Sequence, residues 1–363
     1  MSADGALLRL EGVHKHFPVE VGVLLSRGHE FVYAVDGVDL QVQGGETLGL
    51  VGETGCGKST LARCSARLYD LTAGSVWFDG RDITRLSRRA MRPVRREIQM
   101  VFQDPYGSLN PRRRVGSIIG DPFAINGIGS RAERKREVQE LMERVGLNPE
   151  HYNRFPADFS GGQRQRIGVA RALALRPKLL ICDEPVSALD VSIQAQVINL
   201  LIDLQDDFGL TYVFISHDLS VVRHVSDRIA VMYLGKIVET APTRELFRTP
   251  RHPYTRALLS ALPVPDPDLS DSRERIILAG DMPSPVAPPP GCRFHTRCPK
   301  ARADCVRHEP PLAPVLGDTV DHVTACLFPL EAGENLMLAS PQIEDTVIDI
   351  GAATRFRSAG GAG

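Results

Sequence analysis

Residues 46–68 read ETLGLVGETGCGKSTLARCSARL, and this run restricts the fold more than anything else in the chain. A continuous apolar stretch leads into G-x-x-x-x-G-K-S, with Gly52, Gly57, Lys58 and Ser59 at the fixed positions. A segment of helical character follows. A strand feeding a glycine-rich loop that opens a helix is the arrangement in which backbone N–H groups wrap phosphates and the helix dipole favours their charge. In that arrangement Lys58 reaches the β- and γ-phosphates, and the Ser59 hydroxyl ligates Mg²⁺.

Three other short apolar runs read as strands: IQMVF (98–102), KLLICD (178–183) and TYVFIS (211–216). Each is nearly continuous rather than alternating, as expected for strands of a parallel sheet covered on both faces. Helical segments are expected between them at 58–68, 130–146 and 193–209. In the last, Ile193, Val197, Leu200, Leu201 and Leu204 recur at helical spacing, and Gly209 fits the stop. Strands alternating with helices define an α/β layered fold.

Asp183 ends one apolar strand, where it can hold Mg²⁺ directly or through water, and Glu184 beside it can polarise an attacking water. His217 closes the next strand. Open α/β sheets bind ligands at the carboxyl ends of their strands, so these groups and the phosphate loop should meet on one edge.

The set GETGCGKST (52–60), VFQDP (101–105), SGGQ (160–163), CDEPVSALD (182–190) and ISHD (215–218) resembles the ATP-binding-cassette ATPases. The resemblance implies a P-loop nucleoside triphosphatase fold, with a parallel-sheet core, an antiparallel β edge and a helical subdomain at about 104–176. It implies ATP as the nucleotide. Its contacts would come from the loop residues Gly52, Gly55, Cys56, Gly57, Lys58, Ser59 and Thr60, with Phe17 stacking on adenine and Tyr33 as the alternative, since 18–32 looks like an insertion. Gln103 would sense Mg²⁺ or the water and couple to a partner. Ser160, Gly161, Gly162 and Gln163 would contact ATP held by a second cassette, and Asp190 would line that contact. Phe159 and Thr54 depart from the commonest residues without removing a catalytic group.

VFQDPYGSLNPRRRVGSII (101–119), DEPVSALDVSIQAQ (183–196) and HPYTRALLSALP (252–263) extend the resemblance to the ATPase subunits of oligopeptide and dipeptide importers, closer to the F-type than the D-type member. Such a subunit would sit on the cytoplasmic face of the inner membrane with a second ATPase, two permeases and an external binding protein. A nickel chelate or another solute is the alternative cargo. A soluble cassette acting on nucleic acid is the rival class, and the formal net charge of −1 gives no general reason to expect it. Ten arginines between Arg81 and Arg114 read as a solvated surface, or more weakly as attraction to anionic headgroups.

On this reading residues 1–248 form the nucleotide-binding domain, 249–330 a C-terminal extension, and 331–363 a partly disordered tail. PVPDPDLS (263–270) and PSPVAPPP (283–290) are proline-rich connectors, and HPYT reads as a helix start. No segment has the apolar length of a membrane helix, and the N-terminus has no signal-peptide pattern. In a reducing compartment, clustered cysteines favour metal or redox chemistry over disulfides. Cys292, Cys298, Cys305 and Cys326 are spaced C-x5-C-x6-C-x20-C, wider than zinc knuckles, and suit an iron–sulfur cluster or zinc. Resemblance to the importer ATPases, many of which carry such a tail, implies 4Fe–4S. His295, His308 and His322 are rival ligands, and Cys56, Cys64 and Cys182 read as packing residues. A tail with so little core of its own should fold around its metal, leaving ATP binding at Lys58 largely independent of it.

Overall fold

The computed structural model describes residues 5–21, 28–262, 276–336 (except 316 and 320) and 341. Its main sheet has eight strands in the order β11-β12-β10-β9-β3-β8-β7-β6. These are β3 (Thr47–Val51), β6 (Ile98–Val101), β7 (Leu179–Asp183), β8 (Thr211–Ile215), β9 (Arg228–Tyr233), β10 (Lys236–Pro242), β11 (Ala313–Pro314) and β12 (Val323–Thr324). The central pairs β6–β7, β7–β8, β8–β3 and β3–β9 are parallel. Every residue of β3, β7 and β8 is buried, which is why their sequences are apolar throughout instead of alternating.

A second sheet, β2-β1-β4-β5, is antiparallel and comprises β1 (Ala6–Val21), β2 (Gly28–Gln43), β4 (Ala73–Phe78) and β5 (Arg81–Asp82). The apparent insertion at 18–32 lengthens the β1–β2 hairpin: Pro18 pairs with Phe31 and Val21 with Gly28. Residues 22–27 lie outside the described residues.

The three expected helices form with shifted ends: the first two are shorter than expected, and the last starts two residues earlier, at Val191. Lys58–Ser65 follows the glycine loop. Arg131–Arg144 opens with a capping box, in which Ser130 and Glu133 satisfy each other's backbone N–H groups. Val191–Phe208 ends at Gly209, whose φ of 61° is the left-handed cap that glycine supplies without strain. Within 104–176 the described elements are helical: Pro105–Ser108, Val115–Ile125, Arg131–Arg144, Gly161–Leu173 and two short 3₁₀ turns. The ten arginines of 81–114 are all exposed.

The change of composition near residue 248 is not a break in the fold. β12 pairs antiparallel with β10, matching Glu239 with Thr324, and so adds the C-terminal extension to the main sheet. Phe294 is 1% exposed and sits against Tyr233 and Tyr254, with ring centroids 5.2 and 5.4 Å away. Burying a phenyl ring of that size stabilises by about 2–3 kcal/mol. Glu239, fully buried, accepts from the Arg251 and His252 amides at 2.6 and 2.9 Å and lies 2.7 Å from His322 Nε2. The connector at 263–270 lies outside the described residues, as does most of 331–363 beyond 336. Among the described residues no helix is long and apolar enough to cross a membrane.

Candidate active site

The loop between β3 and the helix Lys58–Ser65 closes tightly on its surroundings. A Cβ at Gly52 (φ 152°) would lie 2.2 Å from Met232 O, and one at Gly57 (φ 112°) 2.1 Å from Ala34 O. Only glycine fits either position. Lys58 is 5% exposed, and its Nζ donates to Gly52 O at 2.7 Å and Glu53 O at 2.9 Å. Ser59 Oγ donates to Asp183 Oδ1 at 2.8 Å. Asp183, at the end of β7, is 1% exposed, and burial pushes its carboxyl pKa up against the hydrogen bond from Ser59. A hydroxyl and a carboxylate meeting in this way form an oxygen donor set suited to a hard cation such as Mg²⁺.

Glu184 takes a left-handed backbone conformation, φ 49°, with its N–H donating to Ile215 O at 3.0 Å. For a non-glycine residue this costs on the order of 1 kcal/mol. The turn holds the Glu184 carboxylate between two partners. Gln103 Nε2 donates to Oε2 at 2.8 Å, and His217 Nδ1 lies 3.2 Å from the same oxygen. Gln103 follows β6 and His217 follows β8, so residues far apart in sequence meet at one sheet edge.

A cleft of about 360 Å³ lies over these groups, lined by Phe17, Val32, Ala34, Lys58, Ser59 and Thr60, by Gln103 and Glu184, and by Pro285. Phe17 therefore faces the cleft. Tyr33 instead packs on His16, with ring centroids 4.5 Å apart. The Cys56 side chain is buried, and its sulfur packs beneath Gly52. Ser160 caps the helix Gly161–Leu173 by accepting from Gln163 N at 3.3 Å, and Gln163 Oε1 accepts from Ser160 N at 3.0 Å. Ser160 and Gln163 are exposed and do not line this cleft, and Gly162 packs on Ile193. The fold thus separates the SGGQ group from the phosphate loop of its own chain.

The four clustered cysteines are free and line one small cavity with His252, Phe294, His295 and Phe328. Burial, with the neighbouring thiols adding to it, pushes the thiol pKa of Cys292 to about 11 and those of Cys298 and Cys326 to about 12. Their sulfurs do not gather into a group within 4.8 Å, and the described donor group that does is His14, His16 and Asp36. Tetrahedral zinc, with Zn–S about 2.3 Å, needs sulfurs roughly 3.8 Å apart. Of the rival histidines, His295 lines the cavity, whereas His322 lies between Glu239 and Asp318.

Several site residues have no motif in the sequence to announce them. Pro285 reaches the cleft from the C-terminal extension, and its carbonyl accepts from Tyr33 N at 2.9 Å. HPYT does start a helix, Pro253–Ser260, but Tyr254 also accepts from Glu53 N of the phosphate loop at 3.0 Å. These long-range contacts appear only in three dimensions.

The sheet, the phosphate loop and the acid pair define a P-loop ATPase of the cassette class. Residues 35–187 match the family described as ABC transporter, and residues 238–305 match the oligopeptide/dipeptide transporter C-terminal region. The oligopeptide transport ATP-binding protein AppF of Bacillus subtilis (strain 168) is 57% identical over 305 residues, covering 84% of this chain and 92% of its own length. The dipeptide transport ATP-binding protein DppF of Escherichia coli (strain K12) is 49% identical over 329 residues, covering 91% and 96%. Among solved structures, the post-hydrolysis dimer of the ATP-binding cassette MJ0796 with ADP and Pi has a TM-score of 0.58 at 30% identity, covering 65% of this chain and 99% of its own. The chain belongs to the ATP-binding-cassette transporter ATPases, in the group of oligopeptide and dipeptide transport ATP-binding proteins.

Proposed function

We propose that this chain hydrolyses ATP to power uptake of di- and oligopeptides across the cytoplasmic membrane of a prokaryote, bound to its cytoplasmic face. The observation that carries the reading is the meeting of Lys58, Ser59, Asp183, Glu184, Gln103 and His217 at one sheet edge. The names of the 49–57% identical relatives support the peptide class. Selection among peptides, or of a nickel chelate in their place, belongs to other subunits.

In this reading Lys58 and the loop amides hold the triphosphate. Ser59 and Asp183 would hold Mg²⁺, which when bound neutralises charge across the phosphates. Gln103 and His217 both grip Oε2 of Glu184, which orients the carboxylate towards the attacking water. Next to Gln103 lies a second cleft of about 780 Å³, lined in part by Leu68, Arg95, Phe102 and Ile125. Phe102 and Ile125 are 38% and 82% exposed, which suits docking of a permease segment. A segment seated there can move Gln103 and thereby the hydrogen bond it donates to Glu184. A second ATPase, two permeases and an external binding protein complete the proposed transporter.

For the cysteine cavity we propose a 4Fe–4S cluster held by Cys292, Cys298, Cys305 and Cys326. Four soft thiol donors lining one cavity fit it. When bound, it supplies a cross-link between chain segments, because ATP hydrolysis needs no electron transfer.

Glu184→Gln tests the active site. It keeps the shape of the side chain but removes the charge that orients water, so affinity for MgATP should stay within about twofold while turnover falls by about 100-fold or more. An undiminished rate in the assembled transporter would overturn the assignment.

A further inference from the structure

Glu53, inside the phosphate loop, is gripped by a neighbour in the loop and by two residues more than 200 positions further along the chain. Its carbonyl accepts from Lys58 Nζ at 2.9 Å. Its N–H donates to the Tyr254 hydroxyl at 3.0 Å. Arg297 Nη1 reaches both of its carboxylate oxygens, at 3.0 and 3.1 Å. Neither Tyr254 nor Arg297 lines the nucleotide cleft. We propose that Tyr254 and Arg297 are positioning residues for ATP binding, which fix Glu53, and through its peptide Lys58, from outside the cleft.

Both residues are themselves firmly seated. Tyr254 is fully buried, and its ring packs on Tyr233 at 4.7 Å and Phe294 at 5.4 Å. Arg297 has a side chain only 10% exposed, and its partner Glu53 is 29% exposed, so the pair is partly shielded from water. Charge-assisted hydrogen bonds in such a setting are stronger than those on an open surface. Arg297 lies between Phe294 and Cys298, so the loop that carries two of the clustered cysteines is the one that braces the phosphate loop. Pro285, from the same extension, touches the cleft itself, and Met282 Cε would lie 3.4 Å from a Cβ at Gly55.

The reason for a brace is the glycine content that phosphate binding demands. Gly52, Gly55 and Gly57 all have positive φ, and a loop of this kind has many alternative conformations to lose when ATP arrives. Bracing Glu53 in advance removes part of that ordering cost from the binding step. Without it, ATP affinity should fall, while the chemical step at Glu184, once ATP is bound, should change little.

This inference rests on the ATP-site reading above, and one experiment separates the two. MgATP affinity is measured on full-length chain and KM and kcat on the assembled transporter, for Lys58→Ala, Arg297→Ala, Arg297→Lys, Tyr254→Phe and Glu53→Gln. Arg297→Ala should raise the dissociation constant and KM about tenfold, which corresponds to about 1.4 kcal/mol, with kcat within about twofold. Arg297→Lys should restore part of the loss, since it keeps the charge but not the planar guanidinium. Glu53→Gln leaves the packing of the extension intact and should reproduce the Arg297 defect, so it stands in if Arg297→Ala does not fold. The double variant Glu53→Gln/Arg297→Ala should be no worse than either single change. If Lys58→Ala abolishes binding while Arg297→Ala and Glu53→Gln stay within twofold of wild type, the brace is refuted. If Lys58→Ala itself binds ATP normally, the failure lies with the site reading.

Discussion

Asp36, near the middle of β2, is where three parts of the chain meet. Its Oδ1 lies 2.8 Å from His14 Nδ1 and 2.9 Å from His16 Nε2, and Arg293 of the C-terminal extension binds Oδ2. Burial alone would raise the pKa of the Asp36 carboxyl, but the two imidazoles, Arg293 and Lys236 outweigh it and bring the value from 3.8 to about 2. Because the folded value is depressed, the stabilisation is complete above about pH 4 and is lost as pH falls from there towards 2. Screening by the solvent that reaches the group leaves about 1–2 kcal/mol. Asp36→Asn should therefore lower stability at pH 7 by about that amount and flatten the acid limb. Denaturant unfolding at pH 7, 4, 3 and 2 checks this, and parallel wild-type and variant profiles would show that Asp36 does not supply the acid sensitivity. Nothing in the sequence around Asp36 announces this role. Lys58, Ser59, Asp183 and Glu184 are legible because their chemistry demands fixed local spacing. Asp36, Glu53, Tyr254, Pro285 and Arg297 are not, because their partners lie up to 257 positions away in the chain.

At the scale of elements the same division holds. The central strands can be read because burial on both faces leaves no polar alternation, and the helix Arg131–Arg144 because Ser130 and Glu133 form a local cap. β11 and β12 are two residues each, too short for any pattern, and exist because β10 offers an edge. The cysteine-bearing segment accordingly reads as a separate appendage in sequence but shares core and sheet with the cassette in space. This alters what losing its metal should do. Cys305 is buried, and its carbonyl accepts from Cys292 N at 2.8 Å, so it joins two arms of the loop that carries Arg293 and Arg297. If the cavity holds a 4Fe–4S group, protein purified without oxygen should be brown, with a broad absorption at about 400 nm. Cys305→Ser should bleach that colour and open residues after about 285 to protease. It should also weaken ATP binding through Pro285 and Arg297, which the sequence alone does not suggest. Iron, zinc and sulfide assays decide the metal, and stoichiometric zinc without iron would rule out the cluster.

At the scale of the whole molecule, one chain keeps two groups of motif residues apart. Its phosphate loop, acid pair and Gln103 converge, but Ser160 and Gln163 are exposed away from that cleft, at the start of the helix Gly161–Leu173. Beyond the acid pair, Asp190 is exposed and Val191 is 82% exposed at the start of a long helix. Both lie on the exposed start of that helix, where a second subunit could reach them. For this chain we expect ATP to be held between its own loop residues and the SGGQ group of a second cassette. Glu184→Gln, which binds without hydrolysing, should then trap a dimer with the second ATPase in MgATP, seen as a shift in size-exclusion or sedimentation. Val191→Arg should abolish that shift by placing a charge in the contact, while MgATP binding to the single chain stays within about threefold. If Ser160 and Gly162 act on nucleotide held by the other cassette, the isolated wild-type chain should turn over ATP at least about tenfold more slowly than the paired one. Full turnover by a strictly monomeric preparation would mean that Ser160 and Gly162 play no part in hydrolysis.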